Sequence, residues 1–301
     1  MRRLRTDPYA PSRLRAALAG VTRAALAEVV RNGFPPDAPE VLRFTSGVGW
    51  RLHRTLAPGR AIRVREVLAE RFGVRGSALD SLCREAHDLA LQARLETLLI
   101  PRMTDDQLGA LVRCRGMVRP PCVVVHPHVG PLVLLVRALA SVVGRERLVV
   151  YRPALPALPA PPASCSAADV WRERRREEDD ARLGIAVESE PTALAGRLAR
   201  GHVVVAAFDE ACAEGGAVLP FLGVPTRFDP APWDAARATG ASVVPATLVR
   251  ERDKTYVLTF RPPRAPDLPA YLTDEAEPFL RAHPGHYAPW LATGPSSVAG
   301  R

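Results

Sequence analysis

Apolar positions in the first third of the chain recur at spacings of three and four. Leu14, Leu18, Val21, Ala25 and Val29 form one stripe over residues 11–32. Arg13, Arg15, Arg23 and Arg31 lie mostly off it, which predicts an amphipathic helix stopped by Asn32-Gly33 and Pro35-Pro36. The same period predicts helices over about 39–56, 60–72 and 77–98, and "TDDQ" at 104–107 caps a short one near 105–113. Residues 1–115 therefore read as an all-helical region. From there the pattern changes to short apolar runs separated by helical segments. Strands are expected at 122–125, 147–153, 184–188, 202–210, 217–223, 242–250 and 255–263. Helices are expected at 131–143, 169–184, 191–200 and 232–240, with a loop over the low-complexity stretch 154–168. Alternating strands and helices predict an α/β fold: a mixed, largely parallel central sheet flanked by helices, preceded by the helical N-terminal region. The expected units are 1–115, packed on the core, and 116–301.

Charge adds one asymmetry. The chain of 301 residues has a net charge of +9, from 41 basic and 32 acidic residues. Residues 1–75 hold 15 arginines against 6 acidic residues, and the remainder is balanced, so the whole surplus sits in the first quarter. A one-sided basic region suits an anionic partner, such as an anionic membrane surface or an acidic carrier protein, and equally suits a solvated helical face. The four tryptophans are scattered and not interleaved with basic residues, so nucleic acid is not an expected partner. Five dispersed cysteines without a CxxC read as free thiols of a reducing compartment. The start lacks the apolar core of a secretory signal, and Arg137 interrupts the longest apolar stretch. The expectation is a cytoplasmic protein, with contact to the inner face of the membrane at most peripheral.

The chain carries no GxxxxGK[ST], GxGxxG, GxSxG or HExxH pattern. "VVVHPHVGPLVLL" at 123–135 stands out instead, because an apolar strand ends there on His126 and His128, followed by Gly130. Two histidines at that spacing suit a metal only with a third ligand, and none is near in sequence, so no metal is expected.

From about residue 121 to 263 the order of segments resembles the bacterial lipid A lauroyl/myristoyl acyltransferase family and its relatives, the phosphatidylinositol mannoside acyltransferases. The matching pieces are "HVG" at 128–130, "VVYRP" at 149–153, "LARGHVVVAAFDE" at 198–210, "PFLGVPTRF" with "AARATGASVVPATLVR" at 220–250, and the tail "EPFLRAHPGHYAPW" at 277–290. The resemblance implies transfer of a fatty or related acyl group from acyl-CoA or acyl carrier protein to a hydroxyl or amine. Those donors are co-substrates, and no cofactor is implied. It also implies a His-x-x-x-x-Asp/Glu motif whose histidine is the general base and whose acid holds the ring.

His128 matches that histidine through "HVG", but the fifth residue after it is Val133, and the fifth after His126 is Pro131. No histidine of the chain has an acid at that spacing. Three readings stay open. Asp209 or Glu210, at the end of the core strand where the family has Asp-Gln, supplies the carboxylate. Alternatively His128 acts alone on an easier acceptor, or the chain is a catalytically silent homologue that binds acyl chains or scaffolds a partner enzyme. The remaining candidates are Arg152 and Arg227, for a phosphate or carboxylate of the donor, with His126 lining the site and Gly130 letting the backbone approach the thioester.

Overall fold

The computed structural model describes residues 58–100, 103–153, 183–209, 216–251 and 255–291. The helices expected over 11–32 and 39–56, the loop 154–168, nearly all of the polar helix 169–184, and Glu210 lie outside the described residues.

Two helices come first, α1 (Pro58–Glu70) and α2 (Gly76–Leu99). Thr104 then caps α3 (Asp105–Leu111): its hydroxyl accepts from the Gln107 amide at 3.2 Å, and the Gln107 side chain accepts from the Thr104 amide at 2.9 Å. This is the capping box expected from "TDDQ". The helix then stops four residues short of 115. Val112–Arg115 form a strand, β1, rather than the end of the helical region. Its residues Arg113, Cys114 and Arg115 are exposed at the sheet edge, so no apolar alternation announced it.

The remaining strands of the main sheet are β2 (Cys122–His126), β3 (Leu148–Tyr151), β4 (Ala186–Glu188), β5 (Val203–Ala207), β8 (Ser242–Arg250) and β9 (Tyr256–Phe260). Their order is β1-β9-β8-β2-β5-β3-β4. All neighbours run parallel except β8 and β9. The mixed, largely parallel sheet expected from the sequence is the one observed. β2 and β5 lie at its centre and are covered on both faces, which is why they read as unbroken valine runs rather than as alternation.

Helix α4 (Leu132–Val143) packs on one face, against Val124, Val150 and Val205. Arg137, which interrupts its apolar run, is buried, and its guanidinium donates to the carbonyls of Ile100 and Met103 and to Asp105, tying α4 to the start of α3. The other face carries α5 (Ala193–Ala199), α6 (Ala231–Thr239) and the C-terminal helices, against Val123, Val125 and Val204. Those C-terminal helices were not read from the sequence. They are α7 (Leu268–Tyr271), a π-helical turn (Leu272–Ala276), α8 (Glu277–Ala282) and α9 (Pro284–Leu291).

A separate hairpin, β6 (Ala217–Phe221) and β7 (Val224–Phe228), also packs on this face. Its second strand, "VPTRF", went unpredicted because Pro225 breaks the strand signal. The two-residue turn needs positive φ at both positions, and Leu222 (φ 48°) and Gly223 (φ 80°) supply it. Leu222 is strained there. It is held by its burial and by its amide, which donates to Glu277 at 2.8 Å.

Helix α9 joins this layer to α1 and α2, where Ala288 packs with Val64, Leu68, Leu79, Cys83 and Ala86. Its His286 ring lies 4.0 Å from Glu85. Burial, helped by the nearby charges of His283 and Arg250, lowers its pKa to about 4. The unfolded chain takes up this proton below roughly pH 6.5, while the folded chain waits until about 4. Stability contributed by the neutral ring is therefore complete above that window and falls as pH drops through it, by on the order of 3 kcal/mol. A pH series of urea unfolding should show this decline between roughly pH 6.5 and 4, and His286→Gln should flatten it. A decline of equal size in the variant removes His286 as its source.

Candidate active site

The parallel register sets the site. His126 at the end of β2 pairs with Ala207 at the end of β5, and Tyr151 at the end of β3 pairs with Ala206. The segments leaving these three strands therefore emerge side by side at the carboxyl edge of the sheet, the usual binding edge of an open α/β fold. The Phe208 amide donates to the His126 carbonyl at 3.1 Å, which carries the pairing one step past the strand end. Phe208 itself packs against Phe221, Phe228 and Tyr271. The next residue, Asp209, is thereby aimed at the loop after β2.

There it meets His128. The imidazole Nδ1 lies 2.8 Å from Asp209 Oδ1, and the His128 amide donates to Oδ2 of the same carboxylate at 3.0 Å. The Tyr287 phenol of α9 is close enough to act on this carboxylate. The two side chains are 9% and 5% exposed, a depth at which a lone charge is costly. Burial alone would raise the Asp209 pKa. The charge of the His128 ring and the hydrogen bonds from His128, helped by the nearby Tyr287 phenol, outweigh it and hold the carboxyl below the ordinary carboxylate range. Asp209 is thus an anion at neutral pH. An anionic oxygen can only accept, so Nδ1 of His128 carries the proton shared with it, and the lone pair of the neutral ring is on Nε2.

His126 is buried one turn of chain away. Its Nδ1 donates to the Pro127 carbonyl at 2.9 Å, and its ring meets that of His128 edge-on at 6.1 Å between centroids. Gly130 adopts φ 76°, and a Cβ there would sit 3.0 Å from the Leu248 carbonyl on β8. Glycine at this position is thus demanded by the backbone and by β8. Arg152 leaves β3 at the same sheet edge, with its amide donating to the Glu188 carbonyl at 2.9 Å. Arg227 is exposed on β7, opposite Val218, and its hairpin reaches the site through Phe221 and Phe228. The fold brings together His126, His128, Gly130 and Asp209, places Arg152 along the same edge, and leaves Arg227 on the outer hairpin.

Val133, five residues after His128, is buried on α4 in the apolar cluster on the opposite face of the sheet from Tyr287. Two residues escaped the sequence reading: Tyr287 and Tyr271, both buried beside the carboxylate. For Tyr287 a signal existed, because it occupies the Pro-x-x-Tyr of the tail "EPFLRAHPGHYAPW". Among the described residues no three His, Cys, Asp or Glu side chains cluster as a metal site.

Residues 169–291 match the family described as bacterial lipid A biosynthesis acyltransferase. Through this segment the chain is similar to the bacterial lipid A acyltransferases. Acyl transfer is the reaction class that the relationship supports. The matched segment contains Asp209, Tyr271 and Tyr287, and His128 lies upstream of it. No curated protein matches the chain. Among the described residues no helix is long and apolar enough to cross a membrane.

Gly130→Ala tests the backbone of the histidine loop. The left-handed φ and the approach to Leu248 should together cost about 1–3 kcal/mol in urea unfolding. An unchanged midpoint would mean that the loop does not hold the described conformation.

Proposed function

We propose that this chain transfers an acyl group from the thioester of acyl-CoA or acyl carrier protein to a hydroxyl or amine of a lipid, glycolipid or natural-product acceptor, with His128 as general base. The observation that carries this reading is the 2.8 Å contact between His128 Nδ1 and Asp209 in a chain related to acyltransferases. The missing motif acid has a spatial substitute: Asp209 does from the end of β5 what an acid five positions after the histidine does in the family.

The chemistry follows from the protonation states. His128 Nε2 takes the proton of the acceptor O–H or N–H as that atom attacks the thioester carbonyl carbon. The imidazolium so formed faces a carboxylate that cannot donate, and is stabilised by it. The tetrahedral intermediate collapses with cleavage of the C–S bond, and His128 returns the proton to the departing thiolate. Acyl donor and free thiol balance without any cofactor. Arg152 would meet a phosphate or carboxylate of the donor at the shared sheet edge, with Arg227 further out, while Gly130 and His126 shape the loop that the thioester approaches. Glu210, next to Asp209, stays a candidate contributor. The arginine-rich residues 1–75 would meet an acidic carrier protein or an anionic membrane surface at the inner face of the cell membrane.

Free-thiol release from acyl-CoA or acylated carrier protein across a panel of acceptors tests the reading. His128→Ala should lower turnover by about 10²–10⁴. Asp209→Asn, which keeps the shape but can donate to Nδ1 and so favour the wrong tautomer, should cost up to about 10⁴. Adding Val133→Asp to Asp209→Asn should restore nothing, because position 133 faces the other side of the sheet. Undiminished release in His128→Ala removes that ring from the mechanism, and acyl binding without turnover across the panel would favour a silent homologue.

A further inference from the structure

The β6–β7 hairpin is strained at one point of its backbone, and a side chain from another element holds it there. The ladder ends with Phe221 opposite Val224, so the Leu222 amide takes its acceptor from outside the hairpin. Leu222 has φ 48°, a left-handed conformation that a bulky residue rarely adopts, and it is 2% exposed. Its amide donates to Glu277 Oε1 at 2.8 Å, 55 residues further along the chain at the start of α8. The other oxygen of that carboxylate accepts from Arg281, one turn on, at 3.3 Å.

At its exit the hairpin is fixed to the main sheet. The Tyr151 hydroxyl, at the end of β3, donates to Oδ2 of Asp229 at 2.6 Å, and Oδ1 accepts from the Ala231 amide at 2.9 Å. Between these two anchors stand Phe221 and Phe228, whose ring centroids are 5.4 Å apart. Both pack on Phe208, Phe221 edge-on at 5.7 Å and Phe228 stacked at 6.2 Å. Phe221 directly precedes the strained residue, and Phe208 directly precedes Asp209.

We propose that Glu277 is a positioning residue for acyl transfer: by holding the Leu222 amide it keeps Phe221 seated on Phe208, and so keeps Asp209 facing His128 Nδ1. This deepens the reading of His128 and Asp209 given above and rests on it. Two demands meet in the turn. A leucine has to leave its preferred backbone region, and a buried amide has to find an acceptor. Glu277 meets the second demand and thereby stabilises the first, because the acceptor fixes the direction of the N–H. Without the carboxylate the turn relaxes toward negative φ and carries the adjoining Phe221 with it. The exit of β7 stays held at Asp229, so the displacement falls on β6 and its ring against Phe208. A histidine–carboxylate pair at 2.8 Å tolerates little of this, since a misplacement of ~1 Å can lower a rate about a hundredfold.

The test uses the full chain, with Glu277→Ala and Glu277→Gln, the second of which keeps an oxygen that can accept from the Leu222 amide. Glu277→Ala should lower kcat for thiol release by about tenfold to a hundredfold and change KM for the donor little. The proton that His128 Nδ1 shares with Asp209, read as a downfield signal in NMR spectra, should move upfield or broaden. Glu277→Gln should keep both readouts near those of the parent. Should Glu277→Ala fold poorly, Glu277→Asp, too short to reach the amide, should show the same losses. A merely structural role would lower the urea midpoint and leave kcat and the downfield proton of the folded protein in place. That result, or equal losses in Glu277→Gln, would overturn the proposal. Thiol release that survives His128→Ala would instead overturn the proposed function, and the downfield proton would still decide whether Glu277 holds Asp209 in place.

Discussion

A buried carboxylate that must stay charged is the constraint around which this end of the sheet is arranged. Asp209 is buried at the end of a core strand, where an unpaired anion is costly. Two groups make it tolerable: the His128 amide and the His128 ring. Both come from the loop after β2. The carboxylate therefore ties the ends of the two central strands together. Registration of β2 against β5 brings histidine and aspartate level, and the aromatic cluster about Phe208 sets the direction of approach.

That arrangement explains how the fold can dispense with an acid near the histidine in sequence. Val133 belongs to the helix on the other face, where its methyl groups fill a core of Val124, Leu134 and Leu248. A carboxylate there would be buried among hydrocarbon. Asp209 is 81 residues from His128 along the chain yet 2.8 Å from its ring. The pair is a property of strand order, not of spacing.

The same distinction decides what the sequence discloses. The valine runs of β2 and β5 announced buried strands because both faces of each are covered. The apolar helix 131–143 and the capping box at Thr104 were legible for similarly local reasons. β1 was not, since an edge strand of exposed Arg113, Cys114 and Arg115 has no apolar face to display. β7 was hidden by Pro225, and the C-terminal helices by short lengths and internal prolines. In the site, a histidine at the end of an apolar strand was visible, and Asp209 was visible as a charge at the end of another. Their meeting depended on which strand lies next to β2, and no one-dimensional pattern states that. Tyr287 was marked only by the Pro-x-x-Tyr of the tail, because its place near Asp209 is defined only once α9 has folded back over the sheet.

The tautomer of His128 tests the central claim most directly. Nitrogen-15 spectra of the folded protein, at a pH where the ring is neutral, should show Nδ1 protonated, with its proton strongly downfield from the bond to Asp209, and Nε2 bare. Asp209→Asn should abolish that downfield proton. A neutral ring protonated on Nε2 instead, or one whose spectrum is indifferent to Asp209, would contradict the account, because such an imidazole has no lone pair where an incoming acceptor's proton has to go.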